Sequence, residues 1–148
     1  MSKNTQATEG FLDLSVHLTG FSKIDLLGTG MLDVYFNKFM TAVGITDSKS
    51  FWQQANAILG ESQGKEDQAA GMIRKQLMGD PDNAAVAKKI IIMWYTGSWP
   101  DDQMNSTVIS AEAYKASLMW TVFQAHVPGA RQPGYGSWSL SPDEMQTK

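Results

Sequence analysis

Apolar side chains recur at intervals of three and four residues along most of this sequence, and that spacing most narrowly limits the fold. Side chains three and four apart lie on one face of an α-helix, so each such run predicts a helix with one buried face. No stretch alternates with a period of two for long enough to predict a strand. The chain is therefore expected to be all-α. Residues 23–43 show the pattern best, with Leu27, Met31, Leu32, Tyr35, Phe36, Phe39, Met40 and Val43.

Glycines and capping residues divide this pattern into separate helices. Gly20 and Gly79 follow apolar runs, where a glycine readily ends a helix. Ser110 precedes the last run, and its hydroxyl can accept a hydrogen bond from a free N–H of the first turn. Gly28 and Gly30 weaken the first half of residues 23–43 without dividing the predicted helix. The predicted helices span residues 11–21, 23–43, 47–60, 64–79, 82–95 and 111–125.

The length of 148 residues fits a single domain with one core. Residues 1–10 are polar and are expected to be disordered, and residues 11–126 are expected to form the helical domain. Residues 127–148 contain three prolines and three glycines, which favour an extended tail of the same domain. The expected architecture is a compact bundle of about five or six helices with an irregular Gly/Pro-rich tail. Neither an export signal nor a membrane span is expected.

Composition argues against several classes of function. The net charge is −3 and the basic residues are scattered, which excludes the basic surface that nucleic-acid binding requires. The absence of cysteine excludes disulfides and thiolate metal sites. Asp13 and His17 could share a metal, but two ligands make a weak site, and His126 is far away in sequence. Asp101 and Asp102 are expected in a solvated turn. We therefore assign no catalytic, metal-binding or cofactor-binding residue to this chain.

Large aromatic residues gather near the end of the fifth predicted helix and again in the tail. Each can bury roughly 150–250 Å², and Trp and Tyr are enriched where proteins bind one another. Two interpretations stay open: the tail folds back over the helices and completes the core, or these residues contact another protein. Trp94 is the member most expected in the core, whereas Trp99 and Trp138 are favoured for an interface. The candidate partner-binding residues are Trp94, Tyr95, Trp99, Pro100, Pro133, Tyr135 and Trp138.

Four segments, taken in order, resemble a known family. They are FLDLSVHLTGF (residues 11–21), QLMGDPDNAAVAKKIIIMWYTG (76–97), AYKASLMW (113–120) and PGYGSW (133–138). Together they resemble the small subunit of the membrane-bound FAD-dependent sorbitol dehydrogenase family, which includes the gamma subunits of glucose, fructose and gluconate dehydrogenases. The resemblance covers residues 11–140, nearly the whole chain.

The resemblance implies a non-catalytic partner protein. Such a subunit is mostly helical, clasps a large FAD-bearing subunit of the glucose-methanol-choline type, and assists its maturation and export. A multihaem cytochrome subunit often completes the complex. The FAD would then belong to the partner, and the complex would lie in the periplasm at the inner membrane. Because no export signal is recognised in this sequence, a cytoplasmic location is the alternative.

Two other functions stay open from the residues alone. The chain could be a small stand-alone helical enzyme or ligand-binding domain, with a cleft lined by Trp94, Tyr95, Asp101 and Asp102. That function needs a pocket with convergent polar groups. It could also be a homo-oligomeric structural protein whose aromatic surface binds another copy.

Overall fold

A computed structural model describes residues 3–43, 47–63, 65–101 and 103–125. Within these ranges the chain is helical apart from its loops and one short β-hairpin, which confirms the predicted all-α class with that addition. The elements, in chain order, are α1 (Lys3–Thr19), α2 (Lys23–Gly28), α3 (Leu32–Val43), α4 (Asp47–Glu61), α5 (Glu66–Met72), a π-helical turn (Ile73–Leu77), α6 (Pro81–Thr96), β1 (Ser98–Pro100), β2 (Ser106–Val108), α7 (Ala111–Lys115) and α8 (Leu118–Val122).

The core is built where α1, α3, α4 and α6 pack together. Its centre is aromatic: the ring of Phe11 lies 5.2 Å from that of Phe39 and 6.5 Å from that of Trp94. Tyr35 meets Trp94 edge to face at 4.8 Å. Ring pairs in such geometries contribute about 0.5–1.5 kcal/mol each beyond the area they bury. The apolar stripes found in the sequence therefore converge on one hydrophobic centre.

Helix α1 begins earlier than the sequence suggested. Residues 1–10 were expected to be disordered, yet α1 is helical from Lys3. Ala7 packs against the hydrophobic core, so the first two turns gain tertiary contacts that a polar composition does not reveal. The predicted end is confirmed at Gly20, where φ is +78° and the N–H donates to the carbonyl of Val16.

The single helix predicted over residues 23–43 is wrong, because the structure divides it into α2 and α3. Gly30 has a φ of +69°, a left-handed conformation that ends the first helix. Ser22 caps α2: its hydroxyl accepts from the N–H of Asp25, whose carboxylate accepts from the N–H of Ser22. The Thr29 hydroxyl donates to the carbonyl of Leu26 and closes the end of α2. Two local caps thus outweigh the continuous apolar spacing.

Helix α6 begins at Pro81, one residue before the predicted start at residue 82, and Asp80 caps it. A carboxylate oxygen of Asp80 accepts from the N–H of Asp82 at 2.9 Å and from that of Asn83 at 3.0 Å. Pro81 occupies the first helical turn, where its missing N–H costs nothing. The helix buries one complete face against the rest of the core and leads directly into the hairpin.

The last predicted helix is also divided, into α7 and α8. Ser110 caps α7 as predicted, since its hydroxyl accepts from the N–H of Ala113 at 3.0 Å. The helix stops at Ala116, and the buried Ser117 turns the chain into α8. The indole N–H of Trp120 donates to the carbonyl of Tyr114 at 2.9 Å, so a side chain holds the corner between the two short helices.

Candidate partner-binding surface

The segment after α6 is held in place by Gly97. This residue is the C-cap of α6, with a φ of +70°, and its N–H donates to the carbonyl of Met93. A Cβ atom here would lie 2.4 Å from the carbonyl oxygen of Ala113, so only glycine allows α7 to approach this closely. The carbonyl of Gly97 accepts from the N–H of Ile109. Gly97 therefore aims the hairpin that carries Trp99.

The β-hairpin was not predicted from the sequence. Strands β1 and β2 are antiparallel, with Trp99 opposite Thr107. The connecting turn rests on Asp101, whose carboxylate accepts from the N–H groups of Gln103 and Asn105, each at 2.9 Å. Each strand has only three residues, which is too short for an alternating pattern to stand out. The sequence feature that could have indicated the hairpin is the Asp-Asp pair, typical of a turn, between the segments SWP (98–100) and STV (106–108).

Two of the candidate partner-binding residues lie in the core, which corrects their assignment. Trp94 is 0% exposed, and its indole N–H donates to the hydroxyl of Ser15 at 3.0 Å. Pro100 is also fully buried, because β1 turns it and Ser98 inward. Neither side chain has surface to offer another protein. The last turn of α6 and the end of β1 therefore serve the fold of this chain.

Tyr95 and Trp99 keep part of their surface. The hydroxyl of Tyr95 donates to the carbonyl of Thr19 at 2.9 Å, and its ring meets that of Phe21 edge to face at 5.8 Å. Trp99 packs against the edge of the core from β1. Both side chains are half-buried, so each is held rigidly while one side stays accessible. Their role in binding a partner stays a prediction.

The remaining candidate residues fall outside the described ranges. Pro133, Tyr135 and Trp138 all follow Ala125, the last described residue. The structure therefore does not test their assignment to a partner-binding surface.

Exposed apolar side chains are the feature that sequence reasoning missed. Leu27 and Met40 were placed on a predicted buried stripe but are exposed. Val122 and Phe123, in the last predicted helix, are 53% and 69% exposed. Helical spacing located the core face of α3, where Tyr35, Phe36 and Phe39 are buried, but it drew that face too wide by including Met40. The large exposed apolar residues are Ile24, Leu27, Val34, Met40, Met104, Val108, Val122 and Phe123.

Asp101 stabilises a turn and lacks the environment of a general acid. It is exposed at the surface, and the N–H of Asn105 holds the pKa of its carboxyl below the ordinary value. A catalytic acid needs the opposite shift. Because Trp94 is enclosed in the core, the cleft once considered around Trp94, Tyr95 and Asp101 does not form among the described residues.

A cavity of about 790 Å³ opens at another place, between the α1–α2 turn and α4–α5. Asp13, His17, Lys23 and Glu66 are among its lining residues. Asp13 and Lys23 form an ion pair of 2.8 Å at its edge, and both side chains are about half exposed. Exposed pairs of this kind are screened and contribute little. Within the described ranges, no group of three or more His, Asp or Glu side chains is placed to hold a metal ion.

Comparison with protein families places this helical chain in a redox-enzyme family. The model of one family, described as "Membrane bound FAD containing D-sorbitol dehydrogenase", matches residues 1–142. The chain belongs to this family, which confirms the resemblance found in the sequence. No curated protein and no solved structure matches it. Among the described residues, no helix is both long enough and apolar enough to cross a membrane.

The described residues do not fit the flavin named in the family description. Dinucleotides are commonly held where a parallel strand passes through a glycine-rich turn into a helix, whose N-terminus faces the pyrophosphate. The strands described here form an antiparallel pair of three residues each. Gly28 is the last residue of α2 and Gly30 serves to end that helix, so neither glycine lies in a strand-to-helix turn. We therefore derive no chemical step through FAD on this chain.

Proposed function

We propose that this chain is a non-catalytic small subunit of a membrane-bound, FAD-dependent dehydrogenase of D-sorbitol or a related polyol or sugar. The observation that carries the proposal is the family match over residues 1–142 of a chain whose described part is a helical bundle unsuited to flavin binding. The FAD and the substrate would be bound by a larger partner subunit, and this chain would stabilise that subunit and assist its maturation.

The surface that we assign to the partner lies in the C-terminal part of the described chain. Trp99 is half-buried on β1, Met104 is exposed at the tip of the hairpin, and Phe123 is exposed at the end of α8. Rigid aromatic side chains and methionine are enriched at protein interfaces. Tyr95 would support Trp99 from α6, and Pro133 and Tyr135 would add contacts from the tail.

In this proposal, the cellular location of the chain is that of the partner complex. Because no described helix can span the bilayer, attachment to the membrane would depend on another subunit, for which a multihaem cytochrome is one candidate. A periplasmic complex at the inner membrane is the location that we propose.

Co-expression with an FAD-dependent dehydrogenase subunit from the same host tests the proposal. We expect a stable complex burying more than about 2,000 Å², as obligate interfaces do. The variant M104S/F123S should lose at least about tenfold in affinity, because two exposed anchors would be removed. I24S is the matched control, since Ile24 is exposed at 81% on α2, away from the assigned surface.

Three results would contradict the proposal. The chain could fail to co-purify with any flavoprotein. The isolated chain could bind FAD and oxidise a polyol by itself. Alternatively, I24S could disrupt the complex while M104S/F123S leaves it intact, in which case the partner would bind at α2 and the assigned surface would be wrong.

A further inference from the structure

Strand β2 has one edge that no described part of the chain pairs with. In an antiparallel ladder, hydrogen-bonded and non-hydrogen-bonded pairs alternate. The N–H of Ile109 donates to Gly97 and the N–H of Asp101 donates to Asn105, so both of these pairs are hydrogen-bonded. The pairs between them, Ser98–Val108 and Pro100–Ser106, must then turn their backbone groups away from each other. Proline, which lacks an N–H, fits this position.

The two sides of the hairpin are covered very differently. Strand β1 packs against α6, and its residues Ser98 and Pro100 are buried. All three residues of β2 are exposed. The outward N–H and C=O groups of Ser106 and Val108 make no hydrogen bond to other described residues. An open strand edge of this kind is a template for another strand, and natural proteins usually cover it.

The side chains of the hairpin show which face an added strand would continue. Residues directly opposite each other in a pair point to the same face of the sheet. Val108 therefore shares a face with Ser98 and Pro100, yet it is 50% exposed. That face is covered beneath β1 and open beneath β2. A strand beside β2 with large apolar side chains on this face would complete the layer.

The tail of this chain contains a segment with the required pattern. Residues 137–141 read SWSLS, in which serine alternates strictly with Trp138 and Leu140. Five residues are too few to predict an independent strand, but their alternation suits one that is added to an existing sheet edge. Pro133 and Pro142 lie outside the segment, so every residue in it can donate a backbone N–H.

We propose that residues 137–141 pair with the free edge of β2 as a third strand, with Trp138 and Leu140 on the face of Val108. This placement gives Trp138 a position beside the hairpin in place of the partner contact expected from the sequence. Trp99, which points to the opposite face, stays available to the partner subunit. The inference concerns the chain alone and does not depend on the proposed function.

The chain's own tail is favoured over a strand from another molecule. Ala125 is the last described residue, and residue 137 follows twelve positions later. Twelve extended residues span at most about 40 Å, whereas a domain of this size has a radius of gyration of about 14 Å. Helix α8 and strand β1 both pack against α6, so a tail that leaves α8 is long enough to reach β2 beside β1. Tethering gives it a local concentration in the millimolar range, which a separate chain rarely reaches.

Nuclear magnetic resonance of the isotope-labelled full chain, alone and dilute, tests the proposal. We expect nuclear Overhauser contacts between residues 106–108 and 137–141, and exchange of the Ser106 and Val108 amides slowed by more than about tenfold relative to free amides. The variant W138S/L140S should return both amides to fast exchange. S139T, altered on the opposite face, should keep them protected. The Ile109 amide, bonded to Gly97 within the hairpin, should stay protected in every variant.

Three outcomes would overturn the proposal. Ser106 and Val108 could exchange as free amides, with no contacts to the tail. Their protection could depend on concentration, with contacts appearing between differently labelled molecules, which would assign the edge to a second copy. Protection could also appear only after a flavoprotein subunit is added, which would assign the edge to that partner. If the chain co-purifies with a flavoprotein subunit but its tail does not pair with β2, this inference is refuted and the proposed function stays intact.

Discussion

Trp94 and Tyr35 meet edge to face in the core, but their polar atoms differ in hydrogen bonding. The indole N–H of Trp94 donates to the hydroxyl of Ser15, which in turn donates to the carbonyl of Phe11. The hydroxyl of Tyr35 is buried and has no hydrogen-bond partner among the described residues. A buried polar group without a partner costs about 1–3 kcal/mol. At the residue scale, Tyr35 is therefore a weak point of the core.

Replacing Tyr35 by Phe tests the cost of this buried hydroxyl at neutral and alkaline pH. Burial raises the pKa of Tyr35 to about 12, from an ordinary value of 10.0. The folded state thus holds the phenolic proton more tightly, so stability is full below pH 10 and falls as the pH rises toward 12. At pH 11 the loss is about 1.4 kcal/mol. Y35F should abolish this loss and raise stability by about 1 kcal/mol at pH 7.

Urea unfolding of the wild type, Y35F and Y114F at pH 7 and pH 11 measures the effect. Y114F is the control, because it keeps Tyr35 and should therefore lose stability at pH 11 as the wild type does. A Y35F variant that is destabilised at pH 7 by more than about 1 kcal/mol would show that the hydroxyl of Tyr35 makes a stabilising hydrogen bond.

At the scale of elements, the junction between α6 and the hairpin depends on one glycine. Gly97 combines a left-handed backbone with a close approach to the carbonyl of Ala113. The same residue accepts the hydrogen bond that starts the β1–β2 ladder. Helix end, hairpin and α7 thus meet at a position that no other residue type can occupy without strain.

A glycine-to-alanine pair separates this constraint from ordinary helix propensity. G97A should destabilise the protein by more than about 2 kcal/mol, since alanine is strained at this φ and its Cβ would clash with α7. G71A should stabilise it by about 0.5–1 kcal/mol, because Gly71 lies inside α5 with open space around its Cα. Thermal unfolding of both variants gives the comparison. Equal effects of the two substitutions would refute the special role of Gly97.

At the scale of the whole molecule, eight large apolar side chains of the described residues are exposed and do not pack into the core. They fall into two sets, one on α2–α3 and one from the hairpin to α8. Contiguous exposed apolar patches mark sites that another molecule covers. We assign only the set from the hairpin to α8 to the proposed partner, and the aromatic centre is already closed around Trp94.

Binding to the cognate catalytic subunit should therefore stabilise this chain. A partner that binds only the folded state adds about 2.7 kcal/mol when its free concentration is one hundred times Kd. Hydrogen exchange of the core amides of this chain, measured at rising partner concentration, gives the gain in the free energy of unfolding. F123S should reduce it and I24S should not. A gain that is absent at saturating partner would contradict obligate association.

The sequence alone was sufficient to predict the helical class, most helix ends and the family, because these depend on signals within a few residues. Ser110 and Gly20 act on their own turns, whatever surrounds them. The sequence could not show that Pro100 lies inside while Leu27 and Met40 lie outside, nor that SWP pairs with STV. Burial and strand pairing depend on neighbours distant in the chain, and only the packed molecule brings those neighbours together.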